Sequence, residues 1–195
     1  MENLQKMIES LNLNSQISLN EIPDIDLYMD QVIQLFENKF SCTKRNEEEK
    51  ILTKTMINNY AKGKLLFPIK NKKYSKEHLI LISFIYQLKG ALSINDIKET
   101  LSGINERIIK QSMDVDGFYE SFLHLTEKNI HAFIEQIEQK GKDANEEIGE
   151  MIENESAVLK KTLMIASLAH MSNLYRRAAE KLVDDLVSGR KLDNI

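Results

Sequence analysis

A single cysteine in 195 residues, Cys42, has nothing to pair with, which excludes an intrachain disulfide and a cysteine-based zinc site. At the end of an amphipathic segment it reads as a small hydrophobe. Two prolines (Pro23, Pro68) and seven glycines leave few interruptions. With so few breakers and apolar residues recurring at helical spacing, the expected class is mainly α. Long hydrophobic runs are also missing. The most apolar window, LMIASLAHMSNLY at 163–175, is short and contains His170 and Asn173, so no membrane span is expected. The opening MENLQKMIES lacks the basic-then-apolar pattern of a signal peptide, and a cytoplasmic protein is expected.

Catalytic signatures are equally scarce. The chain has no phosphate-cradling glycine loop, no nucleophile elbow and no zinc-type histidine pair. Four histidines (78, 124, 131, 170) are too scattered for most catalytic constellations. Glu120, His124, Glu127 and His131 do share a narrow arc of one helix, a spacing at which carboxylate and imidazole can bind a metal. That arc is turned away from Phe122, Phe133 and Ile137, so it reads as a solvated face. The expectation is a protein that is not an enzyme and uses no cofactor or metal.

What the sequence does have is segregated charge. Net charge is −4, with hydrophobic content of 42% and charged content of 29%, as in a soluble globular protein. Lysines 50, 54, 62, 64, 70, 72, 73 and 76 fall in one 27-residue segment that contains no Asp or Glu. The rest of the chain holds 18 basic and 30 acidic residues. Its most acidic stretch, 114–155, carries twelve acids against three lysines. Surfaces kept soluble by charge usually mix both signs. Segregation on this scale points to a polyanionic partner, most often nucleic acid. The reading from another class is a protein-interaction module whose basic segment docks an acidic partner. Lysine outnumbers arginine 21 to 5, a bias read as AT-rich coding without functional meaning.

Three domains are expected: a weakly structured N-terminal arm (1–22), a basic helical domain (23–110) and a C-terminal helical domain (111–195). Asp24 or Asp26 is a candidate cap for a helix reaching Phe40, with a stripe of Tyr28, Val32, Leu35, Phe36 and Phe40. A polar connection follows, and the next helix runs from a Thr53 cap to Lys62, with Gly63 at C′. Its inner side carries Leu52, Met56 and Tyr60; Lys54, Thr55, Asn58, Ala61 and Lys62 fall opposite. IKNKKYS reads as a tight basic hairpin closed by Tyr74. Ser75 caps an apolar helix ended by Gly90; Ser93 and Asp96 form a capping box, with Ile94, Ile97 and Leu101 buried. Residues 117–140 form an amphipathic helix using Phe118, Phe122, Ile130, Phe133 and Ile137. An acidic connection (141–155) leads to a helix over 156–188, from Ser156 at the N-cap to Gly189 at C′.

The order of these parts — helix, GKLLFP, basic hairpin ending in tyrosine, SKEHL, apolar helix, LSINDIKETL — resembles the MerR-like winged helix-turn-helix. Tyr60, Gly63, Leu65, Leu66, Tyr74, Ser75, Leu79, Ile94 and Ile97 take the places of that family's pattern. Asn58, Asn59 and Lys72 depart from it, where the family usually carries arginine, an aromatic and arginine. Over about residues 20–105, IPDIDLYMDQV, ILTKTMINNY, KKYSKEHLILI and LSINDIK are more similar still to the bacterial domain-of-unknown-function family DUF1836. The resemblance implies a winged-helix fold with a small β wing and binding to double-stranded DNA. In that reading the helix at about 53–62 enters a major groove and the wing at 69–74 lies on the backbone. Asn58 is placed to pair with adenine and the Thr55 methyl to meet a thymine methyl. Asn59, Lys54, Lys62, Lys64, Lys70, Lys72, Lys73 and Lys76 complete the expected DNA surface. A short half-site calls for a dimer, for which helices 117–140 and 156–188 are the expected interface, with an effector pocket in their bundle. No particular effector is implied.

Overall fold

Thr53, Ser75 and Ser93 start three helices where their sequence positions lead one to expect. In the computed structural model, which describes residues 2–148 and 156–192, the Thr53 hydroxyl accepts the Met56 N–H at 3.1 Å and opens α3 (Lys54–Lys62). Ser75 opens α4 (Lys76–Leu88) by donating its N–H to His78 Nδ1 at 3.1 Å. Ser93 opens α5 (Ile94–Ile109) in a reciprocal box with Asp96, both bonds at 3.2 Å. Such caps each contribute about 1 kcal/mol by satisfying donors that a helix start leaves open. The remaining elements are α1 (Glu2–Ser10), β1 (Leu27–Tyr28), α2 (Met29–Phe40), β2 (Lys73–Tyr74), α6 (Val115–Ile148) and α7 (Ser156–Leu192). The protein is mainly helical, with one two-stranded antiparallel sheet in which Leu27 faces Tyr74 and Tyr28 faces Lys73.

The described residues group into two compact units: Ser15–His124 with Glu180–Ile195, and Met1–Asn14 with Leu125–Ala179. The first is built around α4. Its run from His78 to Ile85 is buried on every side, which is why the segment reads as continuously apolar. Val32, Phe36 and Phe40 of α2, Ile57 and Tyr60 of α3, and Ile97 and Leu101 of α5 supply the facing core. At the Phe40 end of α2, Tyr86 stacks on Phe40 with ring centroids 4.3 Å apart, and Phe84 meets Phe122 of α6 at 4.7 Å. In the second unit, Ile137 of α6 is buried and the Tyr175 hydroxyl of α7 donates to Gln136 of α6 at 3.5 Å.

Several expectations are corrected. In the N-terminal segment MENLQKMIESL supplies the short helix α1, and the polar stretch after it is anchored by buried Ile17 and Ile22. The Tyr119 hydroxyl donates to the Ile17 carbonyl at 2.7 Å, and Glu21 pairs with Lys39 at 2.7 Å. These contacts span up to 102 residues, so no local pattern announces them. Helix α2 begins at Met29 rather than beside Asp24 or Asp26, because Leu27 and Tyr28 are taken by the sheet and Gln31 Oε1 caps the Tyr28 N–H at 2.8 Å. Ile94 shares a stripe with Ile97 and Leu101 but is 53% exposed, since the first residue of a helix overhangs the layer it packs on. The polar run up to Ile148, expected in a connection, continues α6; residues 149–155 of that connection lie outside the described residues. Ser156, expected as an N-cap, is already helical where the description of α7 resumes, and Gly189 sits inside α7, which is described as far as Leu192.

His78 is the one histidine of the core, 3% exposed. Its Nδ1 accepts from Ser75 N–H, its Nε2–H donates to the Phe67 carbonyl at 3.2 Å, and its ring stacks on Phe67 at 3.7 Å. Burial pushes its pKa below the usual value, against smaller opposing effects from the Phe67 carbonyl and from Glu77 and Asp26. Because the folded pKa is the lower one, the unfolded chain takes the proton first as pH falls. Stability is therefore full above about pH 6.5 and is lost as pH drops through that value toward the folded pKa. We expect the urea midpoint to fall between pH 7.5 and 5.5. His78→Gln, which retains an acceptor for Ser75 N–H, should show a clearly smaller fall over that range; an unchanged fall would place the titration elsewhere.

Candidate nucleic-acid interface

The carboxylate-free segment folds into a helix, a turn and a hairpin loop, each with a local cause. α3 buries Ile57 and Tyr60 and exposes Lys54, Thr55, Asn58, Asn59 and Lys62, so the polar side chains share the outer surface of one helix. Met56, expected on the inner side, is only half-buried, and Ile57 takes the deepest place. The helix closes with Lys64 N–H on the Ala61 carbonyl (3.1 Å) and Leu65 N–H on the Tyr60 carbonyl (2.9 Å). This is a Schellman motif whose left-handed C′ residue is Lys64 (φ 60°), not Gly63. Gly63 is one position earlier, with φ −73°. Glycine is needed there for space: a Cβ would meet Leu65 Cδ1 at 2.9 Å and the Asn59 carbonyl at 3.0 Å.

Leu65 and Leu66 bury and return the chain to the core, and Asn105 Nδ2 holds the Leu65 carbonyl at 3.0 Å. The segment then turns back at Asn71 (φ 53°) and Lys72 (φ 58°), closed by Lys73 N–H on the Lys70 carbonyl at 2.9 Å. Two positive φ values in succession define a type I′ turn, whose twist matches a hairpin. The expected basic hairpin is thus present, with Lys70 bridging Lys73. Its second strand also pairs with β1. Tyr74 is buried, as is Tyr60; both phenols are pushed above their usual pKa by burial, so neither is a surface contact.

The predicted site residues do not all behave alike. Thr55, Asn58, Asn59, Lys62, Lys64, Lys70 and Lys72 are exposed. Lys54 is exposed too but pairs with Asp30 of α2 at 2.8 Å, a surface contact that contributes little to stability. Lys73 lies 5.4 Å from the Tyr28 ring centroid. Lys76 is withdrawn: its side chain is 24% exposed and bonds Asp116 at 2.7 Å, with Asp24 at 3.5 Å. The Asp116 hydrogen bond holds its ammonium above the usual lysine pKa. Lys76 thus fastens α4 to α6 instead of facing outward.

Tyr28 is the residue that the helical reading misplaced. Expected in the buried stripe of α2, it is 55% exposed on β1, between Asp30 (the partner of Lys54) and the Lys73 ammonium. These contacts link the start of α3 to the hairpin through the β1–α2 junction. A two-residue strand has no periodicity to detect, so only the pairing partner reveals it. The long connection between α2 and α3 is pinned by buried Ile51 and Leu52 and by Lys89 Nζ on the Ile51 carbonyl at 3.0 Å. Within it, Glu49 turns its carboxylate onto its own loop, accepting Arg45 N–H at 2.8 Å. Glu120, His124, Glu127 and His131 are all exposed, and no cluster able to hold a metal is found among the described residues. No described helix is long and apolar enough to cross a membrane.

The family model described as domain of unknown function DUF1836 matches residues 17–122, more than half of the chain. The chain belongs to the DUF1836 family. Its match covers the helix, turn and hairpin described above together with α4, α5 and the first turns of α6. No curated protein and no solved structure matches this DUF1836 chain.

The ion pairs divide the lysines into two groups, and the division can be measured. Lys76→Ala should lower the urea midpoint, by about 1 kcal/mol of stability, through loss of the half-buried pair with Asp116. It should leave the salt dependence of any polyanion binding unchanged. A weaker salt dependence in this variant would return Lys76 to the binding surface.

Proposed function

We propose that this DUF1836 protein is a DNA-binding transcriptional regulator whose basic helix and hairpin form a MerR-like winged helix-turn-helix. In this reading α3 enters the major groove and the loop at 69–74 lies on the sugar–phosphate backbone. The observation that carries the reading is one carboxylate-free segment with exposed polar and basic side chains. Thr55, Asn58, Asn59 and Lys62 face outward from one helix, and the hairpin tip adds Lys70 and Lys72, in a 27-residue segment without a carboxylate. Amide and hydroxyl groups can read base edges, while lysines neutralise phosphates. Asn58 is assigned to an adenine edge. The protein acts in the cytoplasm, without a cofactor and without catalysis.

A single reading helix covers a short half-site, so the regulator is proposed to be a homodimer through 117–140 and 156–188. Support comes from α7, where Val158, Leu159, Leu163, Ile165, Leu174 and Tyr175 are exposed in the single chain. Large apolar side chains left exposed on several sides of one helix offer area that a second copy can cover. Sedimentation equilibrium at micromolar protein should give twice the mass of the 22.5 kDa chain; a monomer there would remove the dimer from the proposal.

DNA binding is tested by fluorescence anisotropy on duplex DNA of random sequence. With four to six lysines on phosphates, log K should fall against log salt with a slope of about −4 to −5. After selection of a preferred sequence, Asn58→Ala should erase the preference at one base position, losing about 1–3 kcal/mol of discrimination. Lys72→Ala should weaken all sequences alike. Absence of salt-dependent binding at low salt would refute the regulator reading and favour an acidic protein partner.

A further inference from the structure

Among the described residues, five that are not glycine have left-handed backbone: Asn12, Lys64, Asn71, Lys72 and Gln111. Asparagine tolerates this region through its short polar side chain. Lysine and glutamine have no such compensation, and glycine would adopt the same φ without steric cost. Two of the three disfavoured residues are lysines, and both lie in the carboxylate-free segment. Lys64 (φ 60°) ends the Schellman turn after α3, and Lys72 (φ 58°) is the second residue of the hairpin turn. Both are exposed, and neither ammonium has a carboxylate partner among the described residues, unlike Lys54 and Lys76.

The backbone strain at these two positions is best explained by what the side chains add. Each turn is closed by backbone hydrogen bonds of 2.9–3.1 Å, so the direction of each lysine's Cα–Cβ bond is fixed. We propose that Lys64 and Lys72 are the two anchoring cations of the surface, retained against backbone strain because each holds a phosphate of a nucleic-acid backbone. This rests on the DNA-binding reading above and assigns its principal phosphate contacts. A conformation that a glycine would fill at lower cost is kept by a charge.

The fold contains its own control. Gln111 ends α5 in the same motif, with Gln111 N–H on the Ile108 carbonyl and Ser112 N–H on the Arg107 carbonyl, both at 3.0 Å, and φ 52°. It carries the strain without the charge.

The experiment compares the full chain with Lys64→Gly, Lys72→Gly, the double variant and Gln111→Gly. It measures thermal melting and anisotropy on random-sequence duplex DNA across a salt series. All four variants should keep the parent Tm or exceed it by about 2–4 °C per substitution. The double variant should lose about 2 from the magnitude of the salt slope, about one per phosphate contact, and Gln111→Gly should lose none. Lys64→Arg with Lys72→Arg, which keeps both charges, should retain the parent slope. A double variant with the parent slope, or glycine variants that melt lower than the parent, would overturn the anchoring role. Failure of the unaltered chain to bind duplex DNA would instead overturn the reading on which it rests.

Discussion

The imidazole of His78 closes the basic hairpin at both ends, and the loop beyond it depends on that closure. One ring nitrogen holds the Phe67 carbonyl where the hairpin leaves the core, and the other holds the Ser75 N–H where it returns. Between those points the chain makes an excursion of seven residues, four of them exposed. Buried Tyr74, which lies edge-on to His78 at 5.9 Å, and the two-residue pairing with β1 fasten the excursion further. A neutral imidazole suits this role because it donates at one nitrogen and accepts at the other. A charged one would present donors to both the carbonyl and the N–H. The local geometry of the basic surface is therefore coupled to the protonation of a core residue.

The lysines in and beyond this segment do two kinds of work that composition alone cannot separate. Lys76 and Lys89 are structural, one ion-paired to α6 and the other bound to the Ile51 carbonyl and lying 4.3 Å from the Tyr86 ring centroid. Burial pulls the Lys89 ammonium below its usual pKa, as expected for a cation whose main partner is a carbonyl. Lys62, Lys64, Lys70 and Lys72 are exposed and have no ion-pair partner among the described residues. Removing carboxylates from the segment costs the fold little, since surface ion pairs contribute little to stability. It leaves a segment of eight lysines without a carboxylate in a protein whose net charge is −4.

How much of this could be read from the sequence depends on the range of each interaction. Thr53, Ser75 and Ser93 were legible because a cap acts on N–H groups two or three residues away. The inner face of α2 from Val32 to Phe40 was legible because a packed helix must repeat its apolar positions. The basic helix and hairpin were legible from charge, glycine and asparagine. What was not legible rests on partners far along the chain. Tyr28 looked like helix until Lys73 claimed it for a sheet, and Lys76 looked like part of the DNA surface until Asp116, 40 positions on, bound it. The N-terminal arm looked loose because its anchor, Tyr119, lies 102 residues from Ile17. Gly63 and Lys64 were exchanged for a different reason: a pattern marks glycine for left-handed backbone, whereas here glycine makes room for Leu65 and lysine takes the strain.

The claim at the centre of this account is that one contiguous surface, α3 and the hairpin held by His78, meets nucleic acid. Amide hydrogen exchange of the full chain, with and without saturating duplex DNA, tests it most directly. The account predicts added protection over 53–64 and 69–75, with α4 and α5 unchanged because their amides are already buried or hydrogen-bonded. Protection centred on 125–148 or 156–179 instead, or no change under conditions where DNA is bound, would contradict it.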